Sequence, residues 1–244
     1  MNKLEHLEEF QRALQHYQIS KTGQELLGEI SLVLLVAPTS SGRNTIIREL
    51  VKSGHYHYMV SDTTRKPRIN DGVQEQNGVE YWFRPENEVL SDIKAGKFLE
   101  AAVIHQQQVS GISLREIEIT KQKHQIAVTD VEIAGVHNIM SAKPDTIAIF
   151  VVPPSFSEWQ RRITGRGHMD PAELKRRLKS AVDEFKHAMD QPYYHFVVND
   201  NLADAVAEID ELVKNAQSHK PDNSLARAAV ESIYSETIAH LKNI

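Results

Sequence analysis

Two segments carry residue types that could do chemistry. In Ser61-Asp62-Thr63-Thr64-Arg65-Lys66-Pro67-Arg68, two arginines three apart follow a run of hydroxyls. Two planar guanidinium groups on such a loop make a fork for a dianionic phosphate. Upstream lies Ala37-Pro38-Thr39-Ser40-Ser41-Gly42-Arg43-Asn44-Thr45. It follows a continuous apolar run, 30–36, and precedes a helical pattern, 46–51. Strand, turn, helix is the setting of a phosphate-binding loop, which reads G-x-x-x-x-G-K-[ST]. Here Ala37 holds the first glycine's place, Arg43 the lysine's and Asn44 the hydroxyl's. Gly42 and the length remain. Arg43 keeps the charge on a planar, bulkier head. Asn44 offers only a neutral carbonyl, so Thr45 is the substitute hydroxyl. Together the two segments imply a phosphorylated ligand.

Asp130-Val131-Glu132 sits at the end of an expected strand, 125–131. Ligands of open α/β sheets bind at the carboxyl ends of strands. Two carboxylates there suit organising water and magnesium, or accepting hydrogen bonds from a base. The plainer alternative is an aspartate capping the next helix. Arg161, Arg162, Arg166, Arg176 and Arg177 form the main basic cluster. Such arginines stabilise the charge of a phosphoryl group in transfer. A solvated helix face paired with Glu158, Glu173 and Glu184 is the alternative. No pair of histidines has metal-ligand spacing; His55 and His57 read as surface residues of a strand.

These residues need elements to hold them. Residues 1–29 read as helix, with Leu4, Leu7, Phe10, Leu14 and Tyr17 at helical spacing. Between 54 and 113, strand-like pieces (56–60, 80–83, 100–104) alternate with polar turns, a pattern of a small mixed insertion. Runs at 125–131 and 146–152 read as buried strands separated by helical patterns, which predicts a parallel sheet with helices on both faces. Residues 155–190 are helical and Arg-rich; 196–198 is a last strand and 202–215 a closing helix. A polar break at 218–223 precedes a final helix. The 244 residues suit one α/β domain with extensions, or two small domains. A formal net charge of −5 argues against coating nucleic acid. Absence of cysteine excludes disulfides and thiolate chemistry. No apolar run reaches membrane-spanning length, and no signal-peptide pattern opens the chain. The expected location is the cytoplasm.

In order along the chain, these motifs resemble the guanylate kinase family. Ser61…Thr63-Thr64-Arg65-x-Pro67-Arg68 looks like the family's GMP-phosphate site. Asn77-Gly78-x-Glu80-Tyr81-x-Phe83 resembles N-G-x-D-Y-x-F, with Tyr81 as the phosphate-contacting tyrosine. Phe98-Leu99-Glu100 resembles F-[LI]-E, whose glutamate reads guanine. Asp130-x-Glu132-x-x-Gly135 is similar to D-x-D-x-x-G. Phe150-Val151-Val152-Pro153-Pro154-Ser155 resembles the strand that leads into the lid. Arg162…Gly165-Arg166-Gly167 looks like the lid motif R-x-x-G-R-G, with Arg177 following, and Val197-Val198-Asn199-Asp200 is similar to the terminal V-x-N-D. The departures are the phosphate loop, a missing second phosphate-binding tyrosine and a few extra residues between Arg68 and Tyr81. The guanine-side hydroxyl falls on Ile112 or, with a shifted gap, on Ser113.

The resemblance implies a guanylate kinase-like domain over 30–214, with an NMP-binding insertion at about 54–113 and a lid at about 155–190. An N-terminal helical extension (1–29) and a C-terminal linker and helix (215–244) flank it. These extensions pack on the domain or mediate a homodimer or protein contact. As an enzyme, the chain would move a phosphoryl group from ATP to GMP or a similar phosphorylated small molecule, slowly or in altered form. Ser61, Arg65, Arg68, Tyr81, Glu100, Ser113 and Asp130 would hold the acceptor. Residues 37–45 would hold ATP, and Arg43, Arg162, Arg166 and Arg177 would act on the transferred group. Mg²⁺ would come with ATP, near Thr45, Asp130 and Glu132. The alternative is an inactive module that holds a nucleotide or a phosphorylated protein.

Overall fold

The apolar run before the phosphate loop forms a strand buried along its whole length, and the rest of the α/β fold follows in sequence. The computed structural model describes residues 3–70, 72–131, 133–165, 170–215 and 224–243. Helices α1 (Leu7–Gln15) and α2 (Lys21–Gly28) precede β1 (Leu32–Val36) and α3 (Arg43–Lys52). Then come β2 (Tyr56–Tyr58), β3 (Asp62–Thr63), β4 (Ile69–Asn70), β5 (Val73–Gln74), β6 (Trp82–Phe83), α4 (Glu86–Lys94), β7 (Phe98–Ile104) and β8 (Gln108–Ser113). The chain continues through α5 (Leu114–Lys123), β9 (Ile126–Asp130), α6 (Ile133–Ala142), β10 (Ile147–Val152), α7 (Phe156–Thr164) and α8 (Pro171–Asp190). It closes with β11 (Tyr194–Val198), α9 (Leu202–Lys214) and α10 (Ser224–Leu241). Parallel strands flanked by helices match the expected fold class.

Two units are distinguishable. The first is Met1–Leu32, Tyr56–Thr129 and Ala134–Thr146; the second is Val33–His55, Asp130–Ile133 and Ile147–Ile244. In the second unit the strands run β11-β10-β1, all parallel. Every residue of β1 and β10 is buried, as expected of strands covered on both faces. Phe150 on β10 centres an aromatic cluster, with Phe185 of α8 at 5.8 Å and Tyr194 and Phe196 of β11 at 5.9 and 6.0 Å. The C-terminal helix α10 packs on α8, α7, β10 and β11 of this unit.

In the first unit β2 pairs in parallel with β9. The sequence placed 56–60 inside the mixed insertion; its N-terminal part is instead a strand of parallel pairing. The insertion proper is the mixed sheet β6-β3-β8-β7, with β4 and β5 forming a separate hairpin. The N-terminal extension is two helices rather than the single run expected over 1–29. Ser20 ends the break between them by accepting the Gly23 N–H at 3.2 Å as an N-cap. Gly23 lies inside α2. Phe10 of α1 is buried in a cluster with Val89, Leu90 and Ile93 of α4, Phe98 of β7 and Val109 of β8.

The aromatic cluster makes a direct prediction. Phe150→Ala removes the ring that three others touch and should cost about 3–5 kcal/mol. A urea titration followed by circular dichroism measures it; a loss below about 1 kcal/mol would show that the cluster is not central to the core.

Candidate functional site

The phosphate loop lies in the second unit, between β1 and α3, as its setting required. Gly42 is the N-cap of α3 with φ 94°. A Cβ there would stand 2.1 Å from Asn199 Nδ2, so glycine is needed on two grounds. Asn199 donates its side-chain amide to the Ser41 carbonyl (2.8 Å) and its backbone N–H to the Val152 carbonyl (2.7 Å). Ser40 adopts the left-handed region at φ 65° although it is not glycine. The Ser40 and Ser41 hydroxyls are buried without a partner among the described residues. α3 points its N-terminus at this loop, an arrangement that favours anions.

The helices after β10 hold the loop. Trp159 Nε1 donates to the Thr39 carbonyl (2.8 Å), and Arg177 Nη1 donates to Thr39 Oγ1 (3.2 Å). Arg162 donates from Nη1 to the Asn199 carbonyl (3.0 Å) and from Nε to Glu158 (2.8 Å). Hydrogen bonds from Arg161, then Arg162, hold the Glu158 carboxyl down at about 2. A cavity of about 430 Å³ lies here, lined by Ser40, Gly42, Thr45, Arg161, Arg162 and Asn199 among others. Arg43 is turned elsewhere. Its Nη2 meets Asp130 Oδ2 at 2.6 Å and its Nε meets Asn44 Oδ1 at 3.2 Å. Arg166 and Glu132 lie outside the described residues. No cluster of three or more His, Asp or Glu side chains among the described residues is placed to ligate a metal.

The acceptor-type residues lie in the first unit. β3 joins β6 and β8, so the hydroxyl run is tied to its neighbours. Ser110 Oγ donates to Thr63 Oγ1 (3.2 Å), and Thr64 Oγ1 accepts from the Val109 N–H (2.9 Å). Asp62, fully buried, takes Arg115 Nη2 at 2.9 and 3.0 Å and Arg84 Nη1 at 3.4 Å. Ser61 accepts the Trp82 N–H on its carbonyl (2.9 Å). The expected Arg65/Arg68 fork is altered. Arg65 is engaged end-on by Glu75, with Nη1 to Oε2 at 2.5 Å and Nη2 to Oε1 at 2.9 Å. Its guanidinium also lies 4.7 Å from the Tyr81 ring centre and 5.4 Å from that of Phe83. Arg68 is exposed and gives its backbone N–H to Glu75 Oε2 (2.8 Å). Hydrogen bonding to Arg65 holds the Glu75 carboxyl at about 2, against an ordinary 4.5, despite burial.

Glu100 on β7, expected to read the base, stands opposite Ile112 on β8, and Phe98 opposite Ser113. The register shifts between Phe98 and Glu100. Ile112 is fully buried, and the Ser113 hydroxyl is buried without a partner among the described residues. Sequence reasoning missed Glu75, Asn199 and Trp159 as site residues. Asn199 alone carried a signal, as the asparagine just past the last strand.

The guanylate kinase family model matches residues 29–216. The chain belongs to the guanylate kinase family. A guanylate kinase of Synechococcus sp. (strain JA-3-3Ab) is 36% identical over 187 residues, 75% of this chain and 81% of that protein. Guanylate kinase 1 of Oryza sativa subsp. japonica is 29% identical over 78% of this chain; the chain spans half (50%) of that protein's length. The crystal structure of guanylate kinase from Anaplasma phagocytophilum shares the fold, with a TM-score of 0.57 at 23% identity over 78% of this chain and 88% of that one. The guanylate kinase match leaves α1, α2 and α10 outside it.

The Glu75 carboxyl titrates low when folded. Its contribution to stability is therefore complete above about pH 4.5 and is lost as pH falls through about 2. Glu75→Gln should be less stable than wild type at pH 7 and should lose less stability between pH 4.5 and 2. Urea midpoints at pH 7, 4 and 2.5 measure this; parallel curves for the two proteins would remove the pair from the stability of the first unit.

Proposed function

We propose that this chain transfers the γ-phosphoryl group of ATP to GMP, giving ADP and GDP, and does so slowly. The convergence of Arg162, Arg177 and Asn199 on the phosphate loop carries the reading. Arg162 through Asn199, and Arg177 through the Thr39 hydroxyl, bring two permanent positive charges to the rim of this loop, where a phosphate would need them. Membership of the guanylate kinase family supports the same chemistry.

In the reaction, an oxygen of the GMP phosphate bonds to the γ-phosphorus as the bond to the β–γ bridging oxygen breaks, and ADP leaves. The protein supplies position and charge. Arg65, Arg68, Tyr81 and Ser61 hold the acceptor phosphate, Glu100 with Ser113 reads the base, and residues 37–45 hold the donor. Arg162 and Arg177 stabilise the transferring group, with Arg166 as the third member of the set. Magnesium would come with ATP and would offset phosphate charge; Thr45 is the loop hydroxyl that would help hold it. Two internal carboxylates slow the cycle. The acceptor phosphate must share or displace Glu75 at Arg65, and the donor phosphates must draw Arg43 from Asp130. The same two pairs favour the second reading, a module that holds a phosphorylated partner without turnover.

The deciding experiment is GDP formation from GMP and ATP·Mg²⁺ with concentrated protein. Arg65→Ala should raise the KM for GMP about a hundredfold, and Arg162→Ala should lower kcat about a hundredfold. No GDP from folded wild type would overturn the kinase and leave the binding module. Replacing the weakened donor residues should help: Arg43→Lys with Asn44→Ser is expected to raise kcat about tenfold. An unchanged or lower kcat would show that the altered loop does not limit the rate.

A further inference from the structure

The N-terminal helices lie outside the guanylate kinase match but are built into the first unit. α1 packs on α4 and β7, and α2 packs on α5. β7 is the outer strand of the β6-β3-β8-β7 sheet, so one side of its backbone lacks a strand neighbour. Tyr17 serves as that neighbour at one residue. Its hydroxyl donates to the Phe98 carbonyl (2.6 Å) and accepts from the Phe98 N–H (2.8 Å). The clamp falls where the ladder to β8 is shifted, with Leu99 as the extra residue before Glu100. A bulge re-aims the side chains that follow it and is poorly held by its own ladder.

The neighbouring contacts are equally close. The Ser20 N–H donates to the Gly96 carbonyl at 2.9 Å, and a Cβ on Gly96 would stand 2.8 Å from Ser20 N. A cavity of about 660 Å³ is lined on one side by Tyr17, Gln18 and Ile19 and on the other by Leu99, Glu100 and Ala101. Burial pushes the Tyr17 phenol up to about 12, so it keeps its proton and both hydrogen bonds at neutral pH. The ordinary explanation for such a contact is protection of a strand edge. Its location at the one shifted step of β7, two residues before Glu100, calls for more.

We propose that Tyr17 is a positioning residue for Glu100, and that the N-terminal extension thereby sets how selectively the acceptor base is read. The proposal rests on the reading of Glu100 as the guanine contact. Removing the hydroxyl leaves both backbone groups of Phe98 without their partner and loosens the bulge. Glu100 then loses its aim at the base edge while the phosphate clamp stays intact.

The test uses the full chain and calorimetric binding of GMP and of inosine monophosphate, which lacks the exocyclic 2-amino group. Wild type is compared with Tyr17→Phe, Glu100→Gln and Leu7→Ala. Leu7 packs against the same apolar cluster and makes neither of the Tyr17–Phe98 hydrogen bonds, so it reports loosened packing alone. Tyr17→Phe should weaken GMP binding about tenfold and narrow the GMP preference, with amide exchange faster at residues 98–100. Leu7→Ala should lower the melting temperature and keep the preference. Unchanged GMP binding in Tyr17→Phe overturns the proposal, as does an equal narrowing in Leu7→Ala. Unchanged binding in Glu100→Gln, or no GMP binding by wild type, overturns the reading of the site itself, and the inference falls with it.

Discussion

The close approach of the Asn199 carboxamide to Gly42 is the constraint on which the 37–45 loop depends. Its donor nitrogen sits where any side chain at residue 42 would be, and it bonds the Ser41 carbonyl. The same residue is tied by its N–H to the end of β10 and by its carbonyl to Arg162. One asparagine just past β11 thus joins the end of β10, the 37–45 loop and Arg162 of α7. Because the loop's shape is held from outside, it tolerates changes in its own residues. Ser40 in a left-handed conformation persists because the surroundings over-determine it.

The first unit is organised by buried charge. Asp62, Glu75 and Glu116 are almost fully buried, and each is met by several donors. Glu116 accepts from Trp82 Nε1 (2.7 Å) and the Val60 N–H (3.0 Å) and also meets His57. Those partners hold its carboxyl below the ordinary range against the opposing effect of burial. Breaking one partner of such a pair strands a charge in a poor solvent, which costs more than the intact pair contributes. The Arg65–Glu75 pair therefore holds Arg65 rigid against Tyr81 and occupies the guanidinium face that an external anion would have to compete for.

Both terminal extensions end up as walls of their own units. α10 covers α8 and β11, while α1 and α2 cover the mixed sheet and α5. Apolar stripes at helical spacing are legible as faces that need burial. The surface that buries them has no local signature.

The sequence by itself determined the α/β class, the strand–turn–helix position of the 37–45 loop and the identity of the arginines. These are local properties: an apolar run of strand length, a turn around Gly42, a helical period after it, and charged residues at short spacing. The tertiary structure alone decided what those side chains touch. Arg43 meets Asp130 across 87 residues of chain, and Tyr17 meets Phe98 across 81. Even Glu75, ten residues from Arg65, needed the β4–β5 hairpin to turn it back. The strand 56–58 looked like part of the insertion because a short polar-aromatic strand reads the same in either sheet. Its partner β9 settled which one. Periodicity records which face is apolar; only the folded chain brings distant donors and acceptors within hydrogen-bonding reach, and that is where the chemistry is set.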